Sequence, residues 1–202
     1  MYRKSIKEEY YTLKAKQDKY PARSIYKLQQ IDEKFNLIQK NDKILDLGCA
    51  PGSWLLYASK KIQGVPASTR GGEPTRGWVL GVDLQDITIP LPKNARFIKE
   101  DTNTFKTNEK FNVIISDMAP NTSGDHSVDV ERSIELCETT LEIAKVNLNK
   151  GGNFLCKIFE GDGVNEFFKK VEQSFKFAKR YKPMASRKES REIYIIGIRF
   201  NG

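Results

Sequence analysis

Residues 43–54, KILDLGCAPGSW, constrain this chain more than any other stretch. A short apolar run, KILDL, stops at Gly48, and SWLLYASKKI (53–62) then places apolar residues at helical spacing. Strand, glycine-bearing turn and helix in immediate succession form the opening unit of a doubly wound α/β sheet. Glycine permits a tight turn and a close backbone approach to a ligand, and the helix N-terminus presents free N–H groups. Ligands of such sheets sit at the carboxyl ends of the strands. The stretch is neither a GxGxxG fingerprint nor a P-loop, because no GK[ST] follows.

The alternation continues along the chain. WVLGVDL (78–84), ARFIK (95–99), FNVIISD (111–117), NFLCKIF (153–159) and EIYIIGIRF (192–200) are strand-like. Residues 24–39, 129–149 and 165–175 read as helices, the second stopped by Gly151-Gly152. A parallel sheet covered by helices on both faces is expected. At 202 residues and 39% hydrophobic the chain can build one ordinary core. No run approaches the ~18 apolar residues of a membrane span. The first nine residues lack the apolar stretch of a secretory signal, and their glutamates sit poorly with a transit peptide. A cytoplasmic protein is expected, or a mitochondrial one if a leader has been removed. Cys49, Cys137 and Cys156 are widely spaced and form no CxxC, and His126 is the single histidine, so no metal site is expected. The cysteines read as small core residues and His126 as an exposed loop residue.

Charge is distributed unevenly. The net charge is +8, with eight basic residues against three acidic ones over 1–27 and nine against two over 169–191, while the rest carries an acidic excess. A mildly acidic body with two basic segments suits a polyanionic partner, with Lys4, Lys7, Lys179 and Lys182 as candidate phosphate contacts. Residues 63–77 hold four glycines, two prolines, Arg70 and Arg76 in fifteen positions. Connections in α/β units usually run ~2–6 residues, so this is an inserted loop.

Two aspartates follow strands where a nucleoside could use them. Asp83 ends GVD, placed to accept hydrogen bonds from a ribose diol, and Asp101 follows the next strand, where it could hold an adenine amino group. Either alone is an ordinary turn residue; in this order they form a set.

DLGCAPGSW, GVDL, ISDMAPN, FLCKIFEG and ASRKESREIY, in that order from about Tyr20 to Phe200, closely resemble the FtsJ-type family of S-adenosylmethionine-dependent RNA ribose 2′-O-methyltransferases. The resemblance implies a single-domain, Rossmann-like α/β fold with a seven-stranded, mostly parallel sheet whose last strand is antiparallel. It implies a methyltransferase domain over 24–202, preceded by a basic segment, 1–23. It carries the family's catalytic tetrad onto Lys27, Asp117, Lys157 and Glu192, and its cofactor contacts onto Gly52, Trp54, Asp83, Asp101 and Asp117. Cys49 and Ser53 stand where the family often has Ala and Gly, and the 63–77 insertion exceeds that of its shortest members. Neither touches the tetrad.

The chemistry agrees with the resemblance. A ribose hydroxyl must lose a proton and align with the methyl donor, and positioning alone can supply up to ~7–11 kcal/mol. A lysine that takes that proton must first be neutral. Burial in an apolar strand and a neighbouring cation favour the neutral amine, which makes Lys157 the candidate base beside Lys27. Glu192 is therefore expected to orient Lys27 or the ribose, and Asp117 to position the cofactor and a lysine. The RKESREIYIIG ending and the compact length look most like the enzymes that methylate a uridine ribose in large-subunit ribosomal RNA. A transfer RNA anticodon-loop methyltransferase and a non-catalytic RNA-binding ribosome-assembly factor are the alternatives. A monomer without metal or membrane attachment is expected, with both basic segments flanking the tetrad.

Overall fold

The computed structural model describes residues 6–63 and 77–202. Lys4, Arg70, Arg76 and nearly all of the inserted loop lie outside the described residues. The elements are α1 (Ile6–Gln17), α2 (Ile25–Phe35), β1 (Lys43–Leu47), α3 (Ser53–Ile62), β2 (Trp78–Asp83), β3 (Ala95–Lys99), β4 (Phe111–Ser116), α4 (His126–Asn147), β5 (Leu148–Phe159), α5 (Val164–Ser174), β6 (Phe175–Tyr181) and β7 (Glu192–Phe200). Seven strands form one sheet in the order β3-β2-β1-β4-β5-β7-β6. The pairs from β3 to β5 are parallel, and β7 runs antiparallel to both β5 and β6. This is the α/β sheet, with its antiparallel last strand, that the resemblance implies.

The pleat of β1 explains the layering. Alternate side chains of a strand point to opposite faces. Ile44 joins a cluster with Leu28 and Ile31 of α2 and Leu55 and Ala58 of α3. Leu45 and Leu47 join Cys137 and Leu141 of α4 and Phe167 and Val171 of α5 on the other face. Each fully buried Leu, Ile, Val or Phe among these contributes ~1.5–3 kcal/mol. All three cysteines are free and buried. Chain order reverses where β4 inserts beside β1, which opens a crevice at the carboxyl ends of those two strands.

Polar contacts tie α2 to α3. Asp32, 1% exposed, accepts the Ile38 N–H at 2.8 Å and the Tyr57 hydroxyl at 2.7 Å, and Lys61 lies 3.1 Å from its carboxylate. Trp54 Nε1 donates to the Ser24 carbonyl at 3.0 Å, and Ser53 Oγ accepts the Ala22 N–H at 2.8 Å. The segment leading into α2 is thereby stapled to the first turn of α3.

Several boundaries differ from those read in the sequence. Helix α2 stops at Phe35 rather than 39, because Asn36 adopts a left-handed φ of 53° and its N–H closes on the Asp32 carbonyl. Helix α4 begins at His126 rather than 129, because the Asp125 carboxylate caps it by accepting the Ser127 and Val128 N–H groups. Strands β6 and the first part of β5, and helix α1, were not expected. FKFAKRY reads as a basic segment, yet as an edge strand it needs only its inward side chains to be apolar, and Phe175 is buried.

Gly81 of β2 touches the loop after β1. A Cβ built there would meet Leu55 Cδ1 at 2.5 Å and Cys49 Sγ at 2.7 Å. Gly81→Ala should therefore cost about 1–3 kcal/mol, the range for overpacking a tight interior. Urea unfolding should show the lower midpoint with an unchanged slope; an unchanged midpoint would mean that the loop accommodates the methyl freely.

Candidate active site

The loop from β1 to α3 is held by its own backbone and by Asp83. Gly48 N–H donates to the Val82 carbonyl at 2.9 Å, and Gly52 N–H to the Cys49 carbonyl at 2.7 Å. Asp83 Oδ2 accepts the Ala50 N–H and Oδ1 the Gln85 N–H, both at 2.8 Å. Gly52 has φ 109°, a conformation side chains rarely adopt, and immediately precedes α3. The first N–H groups of α3 consequently face outward from the turn without intrahelical acceptors. Asp101 lies beyond the end of β3, where Oδ1 accepts the Asn103 N–H at 2.9 Å. Trp54 is 2% exposed, and its indole packs against Tyr194 in the core with ring centroids 6.0 Å apart. That position therefore offers a ligand its backbone rather than its ring.

The four tetrad positions come together as two pairs. Lys27 on α2 is 8% exposed and lies 2.6 Å from Glu192 at the start of β7. Lys157 on β5 is 7% exposed, donates to the Asp117 carbonyl and lies 3.1 Å from Asp117 Oδ1. Register links the pairs, because Lys157 faces Tyr194 and Phe159 faces Glu192 across the β5–β7 ladder. Burial tends to raise the Glu192 carboxyl, but the charges of Lys27 and Lys157 and hydrogen bonds from Lys27 and Ser190 outweigh it and bring the group below its ordinary value. Glu192 is thus held as a carboxylate.

Two residues of this site carried no role in the sequence. Tyr194, fully buried, donates its hydroxyl to Asp117 Oδ1 at 2.8 Å, so Asp117 is gripped from β5 and β7 together. Its signal was present, since it stands two residues after Glu192 and hence on the same face of the strand. Asp46, the first residue of the DLG motif, is fully buried, and neither carboxylate oxygen has a hydrogen-bond partner among the described residues. Burial first, then the charges of Asp117 and Asp83, push its carboxyl well above the usual range. Asp46 shares its face of the sheet with Asp83 and Asp117, so three carboxylates gather at the ends of β1, β2 and β4.

A cleft of about 450 Å³ opens beside Lys27, lined by Arg23, Arg187, Glu189, Ser190 and Glu192. The basic segment 169–191 does not reach it as a whole. Its α5 part packs on the face opposite α2, where Lys170 pairs with Glu138 at 2.5 Å, whereas residues 182–191 fold back toward α2 through the Ala185 N–H on Gln30. The expectation that both segments flank the tetrad in full is therefore corrected to Arg23, Lys27 and Arg187, with Lys182 bracing the loop through the Ser190 carbonyl.

This fold, with paired lysines and carboxylates at the crevice, is that of a methyltransferase sheet, and the FtsJ-like methyltransferase family model matches residues 20–200. The chain belongs to that family. It is 44% identical over 200 residues to ribosomal RNA large subunit methyltransferase E of Lawsonia intracellularis, covering 95% of this chain and 94% of that protein. The protein of the same name from Desulfatibacillum aliphaticivorans is 42% identical over 96% of this chain and 91% of its own length. A solved structure of a Plasmodium falciparum protein, provisionally assigned as a ribosomal RNA methyltransferase, superposes with a TM-score of 0.74 at 26% identity, covering 91% of this chain and all of that one.

The two perturbed carboxylates give opposite pH dependences. With its value raised in the folded state, Asp46 binds a proton that the unfolded chain releases, so stability is lost as pH rises from the ordinary carboxylate range through the folded value. Glu192, lowered, contributes stability present above the ordinary range and lost as pH falls through its folded value. Asp46→Asn should gain on the wild type as pH rises toward neutral, with a constant difference at acid pH. Urea midpoints across a pH series would measure this, and parallel curves throughout would show that Asp46 does not hold the extra proton.

Proposed function

We propose that this protein transfers a methyl group from S-adenosylmethionine to the 2′-hydroxyl of a nucleotide, a uridine, in large-subunit ribosomal RNA. The observation that carries the reading is the pairing of two buried lysines with Asp117 and Glu192, directly beside the strand-end carboxylates. The names of the relatives support the choice of RNA.

The residues at the crevice fit the donor. A fully buried carboxyl without a partner, flanked by Asp83 and Asp117, suits a cationic ligand, and Asp83 and Asp101 keep acceptor capacity for a ribose diol and an adenine amino group. The backbone of Gly52 and Trp54 would line the same ligand. When bound, S-adenosylmethionine would supply an electrophilic methyl group on a sulfonium.

The remaining work falls to the chain. Glu192 neutralises Lys27 and fixes its ammonium, which can then donate hydrogen bonds to the ribose. Tyr194 and Lys157 hold Asp117 from one side, leaving it to face a second cation. Lys157, buried beside Asp117, would accept the proton of the 2′-hydroxyl. Burial of both lysines strengthens each of these interactions relative to water.

Calorimetry should detect S-adenosylmethionine binding without RNA, weakened about 5- to 150-fold in Asp83→Ala, which loses a half-buried acceptor that a bound ligand would cover, worth ~1–3 kcal/mol. Lys157→Ala should lower kcat about 100- to 10,000-fold, the usual contribution of a general base, with cofactor affinity nearly intact. Lys157→Arg should be nearly as damaging, since guanidinium does not deprotonate near neutrality. Mapping 2′-O-methyl positions in RNA from cells with and without the protein would test the substrate. Loss of a site in transfer RNA alone, or of none, would overturn it.

A further inference from the structure

We propose that a second cavity beside the tetrad receives the base of the methylated nucleotide and selects an imide edge, as in uracil or guanine. The cavity measures about 240 Å³ and is lined by His126, Asp129, Phe159, Ser190, Arg191 and Glu192. Ser190 and Glu192 also line the larger cleft that contains Lys27, so the two spaces meet at Glu192. The inference rests on the RNA methyltransferase reading and adds to it a base-reading site.

Position is the first argument. Phe159 stands two residues beyond Lys157 on β5 and pairs with Glu192 of β7. Two residues of strand span about 7 Å. A ribose whose 2′-oxygen reaches Lys157 carries its base on the adjacent carbon, so the base must lie within a few ångströms of the reacting atom. Phe159, two residues from Lys157, lines the cavity, and Glu192 opposite it lines both spaces.

Charge separates the two spaces. The larger cleft presents Arg23, Lys27 and Arg187 against Glu189 and Glu192, an excess of cations that suits phosphate. The smaller one opposes Arg191 to both Asp129 and Glu192, which disfavours phosphate and leaves room for a neutral ring. The half-buried Phe159 offers that ring an aromatic surface. Bases read in this way are splayed out of their helix and recognised on the Watson–Crick edge.

Chemistry then selects the edge. Asp129 sits in the first turn of α4, and its Oδ1 accepts the Ser123 N–H at 2.7 Å and the Ser123 hydroxyl at 3.0 Å. The backbone hydrogen bond from Ser123 lowers its carboxyl most; burial opposes, and the Ser123 hydroxyl, the Gly124 N–H and Arg132 add to the lowering. A carboxylate is an acceptor with roughly four lone-pair sites, so capacity remains for a ligand donor. Uracil N3–H and guanine N1–H are such donors and flank carbonyls, whereas cytosine N3 and adenine N1 are lone pairs that a carboxylate repels. His126, exposed at the start of α4, and Arg191 supply donors for the flanking carbonyl.

The test uses the full chain and large-subunit RNA carrying U, G, C or A at the methylated position, once mapped. Wild type should favour U or G over C and A by about tenfold or more in kcat/KM, and the U and G arms distinguish the two imide bases. Asp129→Asn keeps the acceptor for Ser123 but can offer an amide N–H, so the preference for U over C should collapse while S-adenosylmethionine affinity is unchanged. Phe159→Ala should raise KM for RNA about 5- to 150-fold, the loss of one stacking platform, and Phe159→Leu serves if the alanine variant unfolds. Wild-type turnover indifferent to the base, or undiminished discrimination in Asp129→Asn, would overturn the base site while leaving the methyltransferase reading intact. Wild type that binds the cofactor yet methylates none of the RNAs would overturn both.

Discussion

The antiparallel register between β5 and β7 is the constraint on which the site depends. It sets Lys157 opposite Tyr194 and Phe159 opposite Glu192. A slip of one residue would turn every one of these side chains to the other face of the sheet. Apolar neighbours prevent that slip: Leu155 and Ile196, opposite one another, belong to the core on the α2 side, and Cys156 and Ile195 to the core on the α4 side. The polar site is thus indexed by the hydrophobic pattern of the strands that carry it, and the antiparallel insertion of β7 brings a carboxylate and a phenol to an edge otherwise built of parallel strands.

Electrostatics explains why these groups tolerate burial. Lys27 and Lys157 are both nearly inaccessible, and each has a carboxylate of its own, so neither ammonium is left unpaired in a medium where that would be costly. Asp46 is the exception. Its carboxylate has no hydrogen-bond partner among the described residues, and an unsatisfied buried polar group costs about 1–3 kcal/mol. A fold that keeps such a group at the crevice is holding acceptor potential in reserve for a cation. The charges of Asp83 and Asp117 favour the protonated form of Asp46, and a cation bound beside the three groups would offset those charges.

Much of this was legible in the sequence, and the failures have physical causes. The strand–turn–helix at 43–62 and the apolar runs at 78–84, 111–117 and 192–200 announced the sheet, because strands buried on both faces must be continuously apolar. Strand β6 escaped notice since an edge strand needs only one apolar face, and its exposed Lys176 and Lys179 read as a basic tract. Helix α1 has too weak an apolar face to show by periodicity. Charge logic, once Lys157 was taken as the base, left Glu192 to orient Lys27 or the ribose, and the structure pairs it with Lys27. The Tyr194 bond, the isolation of Asp46 and the cavity at His126 were not legible, because each depends on which strands become neighbours; the Tyr194–Asp117 bond spans 77 residues of chain.

That dependence also explains how RNA would be held. Net charge pointed to two basic segments, but folding sends them to different places. Helix α5 turns its lysines onto the face opposite the crevice, while residues 182–191 return to it and place Arg187 near Arg23 and Lys27. The attraction close to the reacting ribose would therefore come from the excess of Arg23, Lys27 and Arg187 over Glu189 and Glu192, with other charges acting at longer range, where salt screens them. Such a small cluster can fix one phosphate and hence the register of one nucleotide, but phosphate contacts carry no base information. Selection has to be made next to it, by groups that contact the base. Beyond Glu192 the fold supplies a ring, an imidazole, a carboxylate and a guanidinium around a cavity of about 240 Å³.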